Sequence, residues 1–145
     1  MLSFLTLELS KAMPEKKTFP SPSKKRELIL QALYQQEISG DSNTEVLKQL
    51  KERNKKFNLS ELNEFLKGIK KNKKIIDKVI ETNSKLNFKD IGQIEISILR
   101  SIIYEMMQKK IDRSISLNEG VRLAKKYGQD SSYKFINAIL DKYKS

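Results

Sequence analysis

The chain predicts an all-α domain with short connections, on three observations. Beyond Pro22 the apolar residues recur at helical spacing, with no alternation of strand period. The periodic stretches are punctuated by Gly40, Gly92 and Gly128, residues that favour helix ends. The length, 145 residues with 38% hydrophobic, is enough for one domain to bury a core without covalent staples.

The elements follow in order. Residues 1–22 read as a flexible N-terminal extension preceding a domain that spans 23–145. The segment Met13–Pro22 holds all three prolines and reads as an extended linker, with Met13 as an alternative translation start. Ser23 is the expected N-cap of a first helix that ends near Ser39-Gly40, where Gly supplies a left-handed stop. A second, more polar helix is expected from about Ser42 to Asn54. Ser60 is expected to cap a third segment whose apolar positions are Leu62, Phe65, Leu66, Ile69, Ile76, Val79 and Ile80. Gly68 lies within it and either allows close helix packing or marks a break.

The strongest periodicity follows Gly92. Ile91, Ile94, Ile98, Ile102 and Met106 form one stripe, flanked by Leu99, Ile103 and Met107, so this helix is expected to be central. Ser116-Leu117-Asn118-Glu119 fits a capping box that opens the next helix, which stops at Gly128. The last helix is expected from about Asp130-Ser131-Ser132, with Phe135, Ile136, Ile139, Leu140 and Tyr143 on its apolar face.

Composition narrows function. The formal net charge is +11 and the pI about 9.7, from 29 Lys+Arg against 18 Asp+Glu. That balance points to an anionic partner: nucleic acid, an acidic protein surface or anionic lipid. Cys and His are both absent, which removes disulfide, thiolate and imidazole chemistry and the usual zinc ligands. No catalytic residue, cofactor or metal ion is expected. No apolar run approaches the roughly 20 residues of a membrane-spanning helix, and Met1–Leu9 makes a poor signal peptide, so a cytoplasmic protein is expected.

Among candidate binding residues, Lys24, Lys25 and Arg26 come first. Three cations at a helix start oppose the helix dipole, an arrangement that suits a phosphate backbone better than it suits folding. A solvated basic turn is the competing reading. The Lys-rich stretches 48–56 and 67–74 have little aromatic interleaving and read as solvated helix faces. Tyr34, Tyr104, Tyr127, Phe135 and Tyr143 sit at helical spacing, so core packing is the default for each. Glu95 and Arg100 lie on the apolar central helix, where each needs a partner inside the fold or across an interface.

Four blocks taken together resemble the NusB family of transcription antitermination factors. They are Lys24-Lys25-Arg26-Glu27 running into Gln31-Ala32-Leu33-Tyr34; Ile91-Gly92-Gln93-Ile94-Glu95 with Ile98-Leu99-Arg100 and Tyr104-Glu105; Ser116-Leu117-Asn118-Glu119 with Leu123-Ala124-Lys125; and Lys134-Phe135-Ile136-Asn137 with Leu140-Asp141-Lys142. The resemblance implies an all-α fold of about seven helices in two small packed bundles. It implies a non-enzymatic protein that binds single-stranded, boxA-like RNA of ribosomal leaders together with the ribosomal protein acting as NusE. The pair would join an antitermination complex on RNA polymerase, and some family members form homodimers.

By the same resemblance, RNA contacts fall on Lys24, Lys25, Arg26, Tyr34 and Lys134. Partner contacts fall on Glu95, Arg100, Tyr127, Ser131 and Phe135. The chain departs from the family pattern at Pro22 and Ser23, where many relatives carry arginine. It departs again at Ser131, in place of a common acidic residue, and at Ala138, where Gly is usual. Two other readings stand beside this one: a helical protein-interaction module without an RNA role, and the NusB-like domain of an rRNA methyltransferase. The second lacks support from any Gly-rich cofactor loop or Cys in the chain.

Overall fold

A computed structural model describes residues 16–144. The expectations for Met1–Leu9 and for Met13 as a start lie outside the described residues. Seven α-helices follow: α1 (Pro22–Ser39), α2 (Asn43–Arg53), α3 (Ser60–Lys71), α4 (Lys73–Asn83), α5 (Gln93–Gln108), α6 (Arg113–Tyr127) and α7 (Ser132–Lys142), with one 3-10 turn at Phe88–Asp90. Among the described residues there is no strand. They pack as two small bundles, α1–α4 and α5–α7, joined where α1 and α4 lie against α5. No described helix is long and apolar enough to cross a membrane.

The N-cap of α1 lies two residues earlier than expected. Ser21, not Ser23, is the N-cap, and its hydroxyl accepts from Lys24 N at 3.1 Å. Pro22 takes the first helical position, where its preset φ helps and its missing N–H is harmless. The helix stops at Gly40, left-handed at φ 75°, whose N–H donates to the Gln36 carbonyl. Upstream, Thr18 pairs with the loop between α2 and α3: its N–H donates to Lys56 O, and its carbonyl accepts from Asn58 N. The extension is therefore tied to the domain at Thr18 rather than flexible there.

The capping box forms at Ser42–Glu45 of α2, where each side chain bonds the other's backbone N–H. The one expected at Ser116–Glu119 does not form. Helix α6 begins three residues earlier, at Arg113, so Ser116 is interior to the helix and fully buried. The Arg113 guanidinium instead serves the end of α7, donating to the carbonyls of Leu140, Asp141 and Tyr143 that the helix leaves unpaired.

The third apolar segment divides at Asn72 into α3 and α4, although Ile69, Ile76 and Ile80 remain on one buried face. Ser60 is the first helical residue of α3 rather than its cap, and its N–H donates to Asn58 Oδ1. Gly68 is the site of close packing: a Cβ there would lie 1.8 Å from the Tyr104 hydroxyl of α5. Tyr104 in turn meets Phe65 edge-on, with ring centroids 4.9 Å apart.

Helix α5 is the centre of the molecule. Ile96, Ile98, Leu99, Ile102, Ile103 and Met106 are buried, as are the polar Glu95, Arg100, Ser101 and Glu105. A helix buried on all sides must satisfy its polar groups with neighbours. Those neighbours come from α1, α4, α6 and α7, and they set the geometry of the surface described next.

Candidate nucleic-acid interface

The start of α1 lies along the side of α6. Ser23 Oγ donates to Glu119 Oε1 at 3.0 Å, and Arg122 donates to Glu119 at 2.8 Å and to the Ser23 carbonyl at 3.3 Å. One turn on, Glu27 is buried against α6. It accepts from the Tyr127 hydroxyl at 2.7 Å and pairs with the Lys126 ammonium. The first turn of α1 is thus anchored to α6 at Ser23 and at Glu27, which fixes the backbone from which its cations extend.

Those cations are not equivalent. Lys24 is half-buried and forms no ion pair among the described residues. Lys25 pairs with Glu61 at 3.1 Å and lies 5.9 Å over the Phe65 ring. Arg26 is turned inward: it is 7% exposed, and its guanidinium grips Glu105 with Nε to Oε1 at 2.8 Å and Nη2 to Oε2 at 3.2 Å. Ser116 donates to the same carboxylate, and Glu119 stands 3.9 Å from Arg26. Among the buried side-chain polar atoms described, none lacks a partner.

Tyr34 is exposed on α1, ten residues beyond Lys24, or about 15 Å along the helix axis. Lys134 is exposed in the first turn of α7. The structure brings Glu95, Ser131 and Phe135 together around one cleft, lined also by Leu86, Asp90 and Gln129. Ser131 is left-handed at φ 72° and exposed, Phe135 is half-buried, and Glu95 accepts from Ser132 Oγ at 2.9 Å. Arg100 lies elsewhere, 7% exposed. It donates to both oxygens of Asp77, at 2.8 and 3.0 Å, and to Glu37 at 2.6 Å. Burial pulls its pKa down, but these two carboxylates outweigh burial and the pKa rises.

Glu95 and Arg100 therefore find their partners inside the fold. The Lys-rich stretches 48–56 and 67–74 are solvated, with every lysine in them exposed.

A second basic group, outside the candidate residues named from the sequence, lies on α6: Arg122, Lys125 and Lys126, with Lys125 Nζ 4.9 Å over the Tyr133 ring. The signal was present, since these cations stand at i, i+3 and i+4 and so share one helix face. Its position beside Ser23 depends on the α1–α6 contact, which no local pattern reveals.

The Glu27 contact has a pH dependence. The Lys126 hydrogen bond holds the Glu27 carboxyl below its ordinary value, against the opposing effect of burial. A depressed carboxyl pKa stabilises the fold above the unfolded-state value, and this contribution disappears as pH falls through the folded-state value. The stability difference between the parent and Glu27→Gln is therefore expected at pH 7. It should close in acid, below the ordinary carboxylate range, when thermal melting is followed across pH. A difference that widens in acid would contradict this origin.

The NusB family model matches residues 23–145. The transcription antitermination protein NusB of Buchnera aphidicola subsp. Cinara cedri is 40% identical over 123 residues, covering 82% of this chain and 87% of that protein. That of Clostridium novyi is 36% identical over 124 residues, covering 81% and 92%. Among solved structures, T. maritima NusB superposes with a TM-score of 0.77 at 25% identity, over 86% of this chain and 90% of the other. A structure of NusB and NusE in complex with dsRNA gives 0.74 at 23% identity, over 84% and 96%, a likeness of fold.

Proposed function

The chain belongs to the NusB family, and from this premise we propose that it is an RNA-binding transcription antitermination factor of the cytoplasm. Its RNA is single-stranded and boxA-like, its partner is NusE, and the pair joins an antitermination complex on RNA polymerase. The role is assembly without catalysis. The observation that carries this reading is the anchored first turn of α1, which presents Lys24 and Lys25 at a rigid edge of the domain. An anchored backbone reduces the conformational freedom lost when phosphates arrive at these cations.

The roles divide along the geometry. Lys24 and Lys25 hold phosphates, Tyr34 offers an exposed ring for a base, and Lys134 adds a further cation. Arg26 supports them from within by fastening α1 to Glu105. NusE meets the cleft at Ser131 and Phe135, with Glu95 shaping its floor through Ser132, while Tyr127 fastens α6 to α1 and Arg100 fastens α5 to α4 and α1. Self-association of the chain is a competing use of the same surface and predicts that RNA and a second copy exclude each other.

The test is RNA binding with NusE present, for the parent and for Lys24→Ala/Lys25→Ala. Each lost phosphate contact lowers the slope of log K against log salt by about 0.7 for a single strand, so the double variant should lose about 1.4. Its affinity near physiological salt should fall about tenfold, with helicity unchanged by circular dichroism. Unchanged affinity and slope would remove RNA from the α1 edge.

A further inference from the structure

We propose that the open face of α6 bounded by Asn118, Val121, Arg122 and Lys125, with Tyr133 of α7 beside it, is a second single-stranded RNA subsite, continuous with the α1 edge. The inference rests on the RNA-binding reading above and extends it to residues outside the basic run.

Three observations carry it. The first is continuity: Arg122 donates to the carbonyl of Ser23, the residue before Lys24, so this face meets the beginning of α1. The second is the combination of groups. The shallow cleft is lined by Asn118, Val121, Arg122, Lys125 and Lys126, and the Tyr133 ring stands under Lys125 at 4.9 Å. A phosphate-binding cation, an aromatic ring, an apolar floor and an exposed amide are what a nucleotide presents partners for.

The third observation is the division of charge. Arg122 and Lys126 are engaged by Glu119 and Glu27, which fixes them in place. Lys125 forms no ion pair among the described residues and supplies the attraction for an incoming phosphate. A strand leaving Lys24 runs along α6 with its phosphates on Arg122 and Lys125. A base lies against Tyr133 and Val121, and Asn118 is positioned to bond a base edge.

The experiment compares two single-stranded RNAs that share the boxA-like element, one of about 6 nucleotides and one extended to about 16, within the range one such surface covers. Binding of each to the full chain with NusE is measured for the parent, Lys125→Glu, Tyr133→Ala and Tyr133→Phe. Lys125→Glu should weaken the longer RNA about tenfold and lower its salt slope, with little effect on the shorter one. Tyr133→Ala should weaken the longer RNA by a similar factor, while Tyr133→Phe, which keeps the stacking ring, should bind as the parent does. Equal loss on both RNAs, or none on the longer, overturns the subsite while leaving the α1 assignment standing. Failure of the parent to bind either RNA overturns the underlying reading as well.

Discussion

Arg26→Ala is expected to lower folding stability by about 3–5 kcal/mol, because it leaves Glu105 as a buried charge without its counter-ion. Glu105 is 6% exposed and packed between α1 and α6, with the Ser116 hydroxyl as its remaining partner. Urea unfolding followed by circular dichroism measures the change, with the slope expected to stay constant. The double variant Arg26→Met/Glu105→Leu separates pairing from packing. Replacing both partners of a buried ion pair by apolar groups of similar volume is often neutral or stabilising. Recovery in the double variant therefore confirms that the single variant suffers from an orphaned carboxylate. An Arg26→Ala protein as stable as the parent would show that the guanidinium is not committed to Glu105. Any RNA-binding defect in Arg26 variants has to be weighed against this loss of stability.

The second large effect is expected at Arg100. Its guanidinium ties α5 to α4 through Asp77 and to α1 through Glu37, and it stacks 5.8 Å over the Phe88 ring. Arg100→Ala is expected to destabilise by about 2–3 kcal/mol, less than Arg26→Ala because the two orphaned acids sit nearer water and can be solvated. The side chains of Asp77 and Glu37 are 22% and 29% exposed, against 7% for Glu105. Arg100→Lys should recover less than half of the loss, since an ammonium cannot make the paired bonds to both oxygens of Asp77. Full recovery with Lys would indicate that charge alone matters and that the planar fork does not.

Much of the fold was legible because helix periodicity is a local property. The spacing of Ile98, Leu99, Ile102 and Met106 marked α5 as central, and those residues are buried in it. Local signals also misled where two residue types satisfy the same pattern. Ser116 and Glu119 have the spacing of a capping box, yet Asp112 precedes the helix and Ser116 lies within it. Ser42 and Glu45 have the same spacing and do form one. Gly68 carried two meanings, and its resolution needed Tyr104, a residue on another helix.

The candidate surface divides in the same way. The cationic start of α1, the central position of α5 and the basic face of α6 are each written in runs of a few residues, where backbone geometry and side-chain spacing follow from the local order of the chain. Which cations face outward is set by partners remote in that order. Arg26 meets a carboxylate 79 residues away, and Tyr127 reaches one 100 residues away. A guanidinium and an ammonium look alike in a basic run until packing supplies a buried acid to one and water to the other. Composition and spacing were sufficient for an all-helical, strongly basic domain. The inward turn of Arg26, and the contact of Ser23 with Glu119 and Arg122 of α6, arise from helix packing, because desolvation and polar pairing act between residues that only the folded chain brings within a few ångströms.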